Sequence, residues 1–245
     1  MFATPMPKSI ESLKRRIAFA CRIAYLEGLH EELGSEYAGH ISVRLENDRI
    51  LMPGHVHEFG RGLREMKSSD IISVDLGGKV VEGNLNPVDE VYIHTDIYKR
   101  RPEIRSVAHL HLPAATAMGS TDARILPISI RGSLFAEGVP VLERGPRLID
   151  DHEIAAELVA KLGDHKAIIH KGHGVVTVGR NLEEACSLMI SLEGAARNQI
   201  LASQFGKVIP FDQADALAYS KMADLSKNTE GWKYYENKWK KFRPN

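Results

Sequence analysis

Two histidines stand two residues apart in an apolar stretch, His109 and His111 in SVAHLHLPA at positions 106–114. The apolar residues around them predict a strand, in which alternate side chains point to the same face. The two imidazoles are therefore predicted to lie side by side, roughly 6–7 Å apart at Cβ. That separation lets both reach one metal ion. The alternative is two unrelated histidines, one buried and one on the surface.

A third histidine, His173, lies between Gly172 and Gly174 in IIHKGHGVVTVG at positions 168–179. Glycines on both sides let the backbone turn sharply and expose the imidazole before the next apolar strand. Three histidines that leave one coordination position open are typical of a catalytic metal site rather than a closed structural one. His170, three residues earlier, is interpreted as a packing histidine.

A carboxylate at a predicted helix start completes this group. In NPVDEVYIHTDIYKR, Pro87 is predicted to open a helix, and Glu90 and His94 are four residues apart on one helix face. Glu90 is a candidate metal ligand or general base. The alternative is a glutamate that stabilises the helix dipole. The sequence leaves the roles of His94 and of His57 open.

The elements that must position these residues alternate between helices and strands. Strands are predicted at 40–45, 49–53, 71–76, 79–83, 104–112, 139–142, 165–170 and 174–179. Helices are predicted at 9–29, from 87, at 151–162, from 181, and over the C-terminal extension 211–245. Asn181 and Glu184 predict a capping box. Because the early strands form hairpins, the pattern favours an α/β fold whose central sheet is mainly antiparallel and lies between helical layers. Residues 1–245 are predicted to form one domain, with its core at about 10–205.

Composition and charge exclude some functions and favour a compartment. The chain has 245 residues, with 43% hydrophobic and 26% charged side chains. Lys and Arg balance Asp and Glu, so nothing indicates a nucleic-acid partner. No apolar run reads as a signal peptide or membrane span. Cys21 and Cys186 are predicted to be reduced core residues. These features together predict a cytoplasmic protein without a membrane partner.

Taken jointly, the motifs resemble the class II aldolase/adducin family, which includes the fuculose-phosphate and rhamnulose-phosphate aldolases. The matching segments are GHISVRL, PVDEVYIHTDIYKRRPEIRSVAHLHLP and HKAIIHKGHGVVTVGRNLEEA, in family order across about residues 10–205. The resemblance implies an α/β/α sandwich and a homotetramer with active sites between subunits. It also implies one divalent metal per subunit, held by His109, His111 and His173. Zinc is the metal that the resemblance favours, with manganese, iron and cobalt as alternatives. Glu90 matches the acidic residue of the family that binds the metal or moves a proton.

The sequence departs from the sugar-phosphate aldolases where those enzymes bind phosphate. The positions of their two serines read Val88 and Asp89 here, and a carboxylate repels a phosphate. The segment after the HxH strand, LPISIRGSLFAEG, lacks the tyrosine that donates a proton in the aldolases. The side chains that replace the phosphate ligands include His40, His55, Arg61 and Arg131, and these are predicted to bind a carboxylate substrate.

The sequence therefore predicts a metal-dependent carbon–carbon lyase, of the decarboxylase or aldolase type. Its expected substrate is a small, non-phosphorylated hydroxy/oxo or hydroxy-aromatic carboxylic acid, cleaved by decarboxylation or retro-aldol chemistry through a metal-stabilised enolate. The alternatives are an epimerase or oxygenase on the same fold, and a non-catalytic, adducin-like interaction module. The C-terminal segment EGWKYYENKWKKFRPN is predicted to be a surface helix whose aromatic stripe docks on its own or a neighbouring subunit.

Overall fold

The fold was analysed in a computed structural model that describes residues 9–30, 39–57, 60–145, 147–227 and 229–242. Its strands are β1 (His40–Arg44), β2 (Ile50–Pro53), β3 (Ile71–Val74), β4 (Val80–Glu82), β5 (Ser106–Leu110), β6 (Val141–Leu142), β7 (Ala167–His170) and β8 (Gly174–Gly179). They form one sheet in the order β4-β3-β2-β1-β5-β8-β7-β6. Every pairing is antiparallel except that of β6 with β7. The predicted mainly antiparallel sheet is therefore confirmed.

Helices cover both faces of this sheet. They are α1 (Ile10–Leu26), α2 (Val91–Arg100), α3 (Pro113–Gly119), α4 (Ile130–Ser133), α5 (His152–Leu162), α6 (Leu182–Ser203), α7 (Gln213–Met222) and α8 (Thr229–Phe242). The core on one face is built with α2 and α5, and the core on the other with α1, α3 and α6. Strand β5 serves both, because Val107 packs in the first core while Ala108 and Leu110 pack in the second. The predicted α/β/α sandwich is confirmed.

The helix starts follow the predicted caps with two differences. Asn181 caps α6 by accepting a hydrogen bond from the Glu184 amide, but the Glu184 carboxylate accepts from the amide of Arg180, one residue before the cap. The helix predicted to open at Pro87 begins instead at Val91. Pro87 forms an isolated antiparallel bridge with Gly54, which its fixed φ also allows. Glu90 consequently stands at the cap of α2 rather than within its first turn.

Two short helices were not predicted from the sequence, α3 and α4. Leu112 precedes α3 and offers no capping side chain. The buried carboxylate of Glu193, in α6, accepts instead from the amides of Ala114 and Ala115 at 3.1 Å. A cap supplied 79 positions away leaves no local signal.

The C-terminal helix α8 docks on α1 of the same chain. Trp232 meets the ring of Phe19 edge-on, with centroids 5.4 Å apart, and the guanidinium of Arg22 lies over Trp239. Lys238 forms an ion pair with Glu27. The aromatic stripe thus packs against its own chain. Among the described residues, the helices are all too short or too polar to span a bilayer.

Candidate metal centre

Four side chains converge beyond one end of β5, and each offers one potential ligand atom. They are Glu90, His109, His111 and His173, and their ligand atoms all lie within 4.8 Å of one another. We call them the metal cluster. Glu90 caps α2, His109 lies in β5, His111 follows that strand directly, and His173 lies in the turn between β7 and β8. The structure therefore brings together all four residues that the sequence singled out as ligands.

Sheet pairing and one glycine set the distance between the two histidine segments. Strands β5 and β8 are neighbours, with Leu110 opposite Val175, so the chain just after β5 lies beside the chain just before β8. A Cβ on Gly174 would lie 2.8 Å from the carbonyl oxygen of Leu110 and 2.8 Å from Cδ2 of His111. No side chain fits there without displacing backbone. Gly172 has φ +68°, a conformation that favours glycine and allows the turn that carries His173.

The carboxylate of Glu90 is held on one side and directed towards the histidines on the other. Its Oε1 accepts a hydrogen bond from the amide of Ile149 at 3.1 Å. Its Oε2 lies 3.3 Å from Nε2 of His109, 3.4 Å from Nε2 of His173 and 3.8 Å from Nε2 of His40. Burial opposes ionisation of this group, but the neighbouring imidazoles outweigh it and hold the pKa of Glu90 well below its ordinary value. Glu90 in its ionised form is therefore a candidate metal ligand or proton acceptor.

The imidazole of His111 is in the neutral form that binds metals. Burial, with the neighbouring His109 and His173 as further causes, lowers the pKa of His111 to about 3. A neutral imidazole keeps a lone pair for coordination. Neither ring nitrogen of His109 makes a well-formed hydrogen bond within the described residues, although the side chain is fully buried. Buried polar atoms normally have a hydrogen-bond partner. The ring nitrogens of His109 are therefore suited to bind a metal ion. The three imidazole nitrogens suit a catalytic zinc or a similar divalent ion, with the carboxylate oxygen of Glu90 placed either to fill a further coordination position or to move a proton.

A line of buried polar side chains leads away from the cluster. His40 Nδ1 lies 2.6 Å from Nε2 of His94, and Nδ1 of His94 lies 2.6 Å from Oγ of Ser42. Oγ of Ser42 is in turn 2.7 Å from the hydroxyl of Tyr98. Sequence reasoning found His40 and noted His94, but not Ser42 or Tyr98. Spacing within β1 and within α2 could have placed each pair on one face, whereas their meeting depends on how α2 packs on the sheet.

His170 supports the cluster from behind. Its ring stacks on that of His173, with centroids 4.8 Å apart and an interplanar angle of 16°. Burial lowers the pKa of His170 to about 4, with His173 the next cause, so the ring is neutral and packs as an apolar surface. These contacts agree with its interpretation as a packing histidine.

The predicted carboxylate-binding residues His55 and Arg61 lie in a separate depression, which we call the loop cleft. Its lining includes Tyr25, His55, His57, Arg61 and Arg64. The rings of His55 and His57 are 5.0 Å apart, and the charge of His57 is among the causes that lower the pKa of His40 after burial itself. The cleft therefore lies near the cluster at the His40 side.

The guanidinium of Arg61 is engaged within the protein. Its Nη1 and Nη2 each donate to a carboxylate oxygen of the buried Asp70 at 2.8 Å. The amide of Lys67 donates to the same carboxylate, also at 2.8 Å. The bidentate pair gives Arg61 a structural task, and its predicted contact with a substrate remains a prediction.

Arg131 does not join the metal cluster within one chain. It lies exposed in α4 and crosses Gly194 of α6, where a Cβ would clash with its guanidinium. Helix α6 covers the face of the sheet opposite α2. The role of Arg131 in binding a substrate therefore also remains a prediction.

Comparisons with known proteins show which proteins this chain is similar to. The family described as Class II Aldolase and Adducin N-terminal domain matches residues 15–200. The 3,4-dihydroxyphthalate decarboxylase of Terrabacter sp. (strain DBF63) is 33% identical over 193 residues, which cover 75% of this chain and 78% of that protein. Gamma-adducin of Rattus norvegicus is 30% identical over 191 residues, or 74% of this chain but only 26% of that protein.

Similarity also extends to solved structures. The structure of L-fuculose 1-phosphate aldolase from Glaciozyma antarctica PI12 superposes with a TM-score of 0.80 at 24% identity, covering 99% of this chain and 97% of that one. At that identity the likeness concerns the fold alone.

Proposed function

The chain belongs to the class II aldolase/adducin family, and from that premise we propose that it is a divalent-metal-dependent carbon–carbon lyase that decarboxylates a small hydroxy-aromatic carboxylic acid. The observation that carries the proposal is the metal cluster, in which a buried carboxylate and three imidazoles converge within 4.8 Å. The similarity to a 3,4-dihydroxyphthalate decarboxylase favours decarboxylation over aldol cleavage.

The residues supply what such a reaction needs. When the carbon–carboxylate bond breaks, carbon dioxide leaves and the electron pair of that bond stays on the ring carbon. A proton then replaces the carboxylate on that carbon. A divalent ion bound at the cluster would stabilise negative charge on a substrate oxygen as a Lewis acid. Glu90, ionised and fixed through Oε1 by Ile149, has Oε2 directed to the site, where it binds the ion or moves the proton.

The charge around the site supports carboxylate groups, each with a single negative charge, rather than a doubly charged phosphate group. Val88 is buried and apolar, and the exposed carboxylate of Asp89 adds negative charge beside Glu90. His40 lies closest to the cluster and is proposed to contact the substrate directly. His55 is proposed to act from the loop cleft, and Arg61 and Arg131 are kept as proposed, more distant contributors of positive charge.

The proposal includes zinc as the metal, a homotetramer and a cytoplasmic location. Exposed apolar side chains at and beyond the end of α6 give surface for a contact between subunits, with Leu201 57% and Phe205 85% exposed. Single exposed apolar residues are common, but a group of them is typical of an interface.

The gamma-adducin relative favours a second candidate, a non-catalytic interaction module. Metal content separates the two. Purified protein dialysed against zinc and then against metal-free buffer is expected to retain one equivalent, since the cluster is complete. A correctly folded protein that retains none would support the module.

The activity itself is tested by incubating the zinc-loaded protein with 3,4-dihydroxyphthalate and related hydroxy-aromatic acids while carbon dioxide is measured. Release is expected to depend on protein and to stop when a chelator removes the metal. L-fuculose 1-phosphate is the matched counter-substrate and is expected not to be cleaved. Efficient cleavage of that phosphate without release of carbon dioxide from the acids would overturn the proposed substrate class.

A further inference from the structure

The line of buried polar side chains behind the metal cluster donates its hydrogen bonds in one direction. That direction determines whether His40 turns an N–H or a lone pair towards the site. We propose that His94 is a positioning residue that fixes the tautomer of His40, so that a neutral His40 directs its Nε2–H at the metal cluster and donates a hydrogen bond to the carboxylate of the substrate. The substrate half of this statement rests on the proposed function, whereas the tautomer half stands on the geometry alone.

The four side chains form one unbranched series in which each inner group contacts two others. His94 lies between His40 and Ser42, at 2.6 Å from each, and Ser42 lies between His94 and Tyr98. A neutral imidazole has one N–H and one lone pair, and a hydroxyl has one proton. A single choice of direction at one end therefore sets the donor and acceptor at every other contact.

The end near the metal cluster makes that choice. Nε2 of His40 faces the carboxylate oxygen Oε2 of Glu90 at 3.8 Å. An N–H pointing at a carboxylate is favourable, whereas a lone pair pointing at it is repelled. With its proton on Nε2, His40 can only accept at Nδ1. His94 must then donate from Nε2 and accept at Nδ1 from the hydroxyl of Ser42.

The far end is consistent with the same direction. The hydroxyl of Ser42 donates its hydrogen bond to His94, and its oxygen accepts a hydrogen bond from the hydroxyl of Tyr98. Burial raises the pKa of Tyr98 above its ordinary value, so the phenol keeps the proton that it donates. The reverse direction would remove the phenol from its role as donor to Ser42 and place two electron-rich atoms face to face at Glu90.

A fixed tautomer matters because His40 is 5% exposed, and burial disfavours a charged imidazole. A protonated imidazole would donate from both nitrogens, but a neutral one donates only where its single proton resides. Beside the cluster, the wrong tautomer would present a lone pair to an anionic substrate.

The series of side chains ends at Tyr98, and the position of that residue argues for a positioning role rather than for proton conduction. His40 is 5% exposed, and Ser42, His94 and Tyr98 are fully buried. Tyr98 belongs to the core between the sheet and helices α2 and α5. Since the series ends in that core and not at the surface, it cannot exchange protons with solvent. It anchors His40 instead.

The tautomer is read directly by nitrogen NMR on protein labelled with ¹⁵N-histidine, which distinguishes a protonated from an unprotonated ring nitrogen. In the zinc-loaded wild type we expect His40 to be protonated at Nε2 and not at Nδ1, with the signals assigned by their loss in His40→Phe. His94→Phe should mix the two tautomers, because the donor to Nδ1 is gone. His94→Gln should restore the wild-type pattern, since its amide both donates and accepts.

Kinetics provide the second readout, on carbon dioxide release from 3,4-dihydroxyphthalate. His94→Phe is expected to lower kcat/KM by about 10- to 100-fold, as loss of a supporting hydrogen bond does. In a His40→Phe background it should add nothing, because His94 acts only through His40. His152→Phe, an exposed histidine of α5, is the control and should leave kcat/KM unchanged. Where His94→Phe fails to fold, Tyr98→Phe keeps the shape and removes only the terminal donor.

Each outcome decides. Protonation of His40 at Nδ1 in the wild type would overturn the inference, and so would full additivity of His94→Phe and His40→Phe. If no acid is decarboxylated, the proposed function fails, while the NMR pattern still decides whether His94 sets the tautomer.

Discussion

The metal cluster and the loop cleft are both built from histidines and charged groups, but they differ in how far their polar atoms are hydrogen-bonded within the protein. In the cluster, the buried ring nitrogens of His109 lack well-formed hydrogen bonds within the described residues. In the cleft, both terminal nitrogens of Arg61 are satisfied by Asp70. A buried polar atom left unsatisfied is costly unless a ligand completes it, whereas a bidentate ion pair is complete by itself. The first region is therefore organised for a ligand and the second, at Arg61, for stability.

The two regions also differ in how rigidly their backbone is held. The residues of the cluster lie on or directly beside β5, β8 and α2, and neighbours such as Gly174 leave them no room to shift. Apart from Tyr25 of α1, the lining of the cleft comes from irregular chain and the short 3-10 turn Leu63–Glu65. Regular elements hold side chains more precisely than loops do. Substitutions should thus affect metal in one region and folding stability in the other.

The largest effect is expected from removing a ligand. His109→Ala and His173→Ala should each strongly weaken metal binding, because each deletes one of the three imidazoles from a ligand set whose spacing the fold fixes. Metal content after dialysis, measured by plasma mass spectrometry, checks this, with His165→Ala as the control outside the cluster. Full metal content in His173→Ala would remove the basis of the contrast.

A smaller but still large effect is expected at Glu90. Glu90→Gln keeps the shape while removing the charge and the proton acceptor, and turnover should fall at least roughly a hundredfold, the usual scale of acid–base catalysis. Glu153→Gln is the matched control, because Glu153 also stands at the start of a helix but is exposed. Near-normal carbon dioxide release by Glu90→Gln would reduce Glu90 to a residue that only begins α2.

The smallest effect, and the one that sharpens the contrast, concerns Arg61. Arg61→Ala leaves the buried carboxylate of Asp70 with fewer donors and should lower the free energy of unfolding by about 1–3 kcal/mol. Urea unfolding measures this, with the exposed Arg64→Ala as control, and metal content should not change. Unaltered stability combined with weaker substrate binding would instead return Arg61 to the substrate site.

Sequence alone predicted the strands, the long helices and the residue types at the metal cluster, but not the short helices α3 and α4. Periodicity identifies α1 and α6, and alternation identifies β5 and β8, because buried faces impose those patterns locally. The histidines were predicted to be metal ligands because imidazoles within an apolar strand and between two glycines are unusual for ordinary packing. The start of α2 was misplaced, because Pro87 suits a bridge as well as a helix start.

Only the tertiary structure decided which polar groups are already satisfied. Nothing local shows that Asp70 binds Arg61, that the amide of Ile149 holds Glu90, or that His94 of α2 reaches His40 of β1. The last two contacts join residues 59 and 54 positions apart, and they exist because a helix packs on a sheet in one particular register. Residue type sets what a side chain can do, but long-range packing sets which partner it meets. The sequence therefore determined the chemistry of the candidate site, and the fold decided which of its residues are available for it.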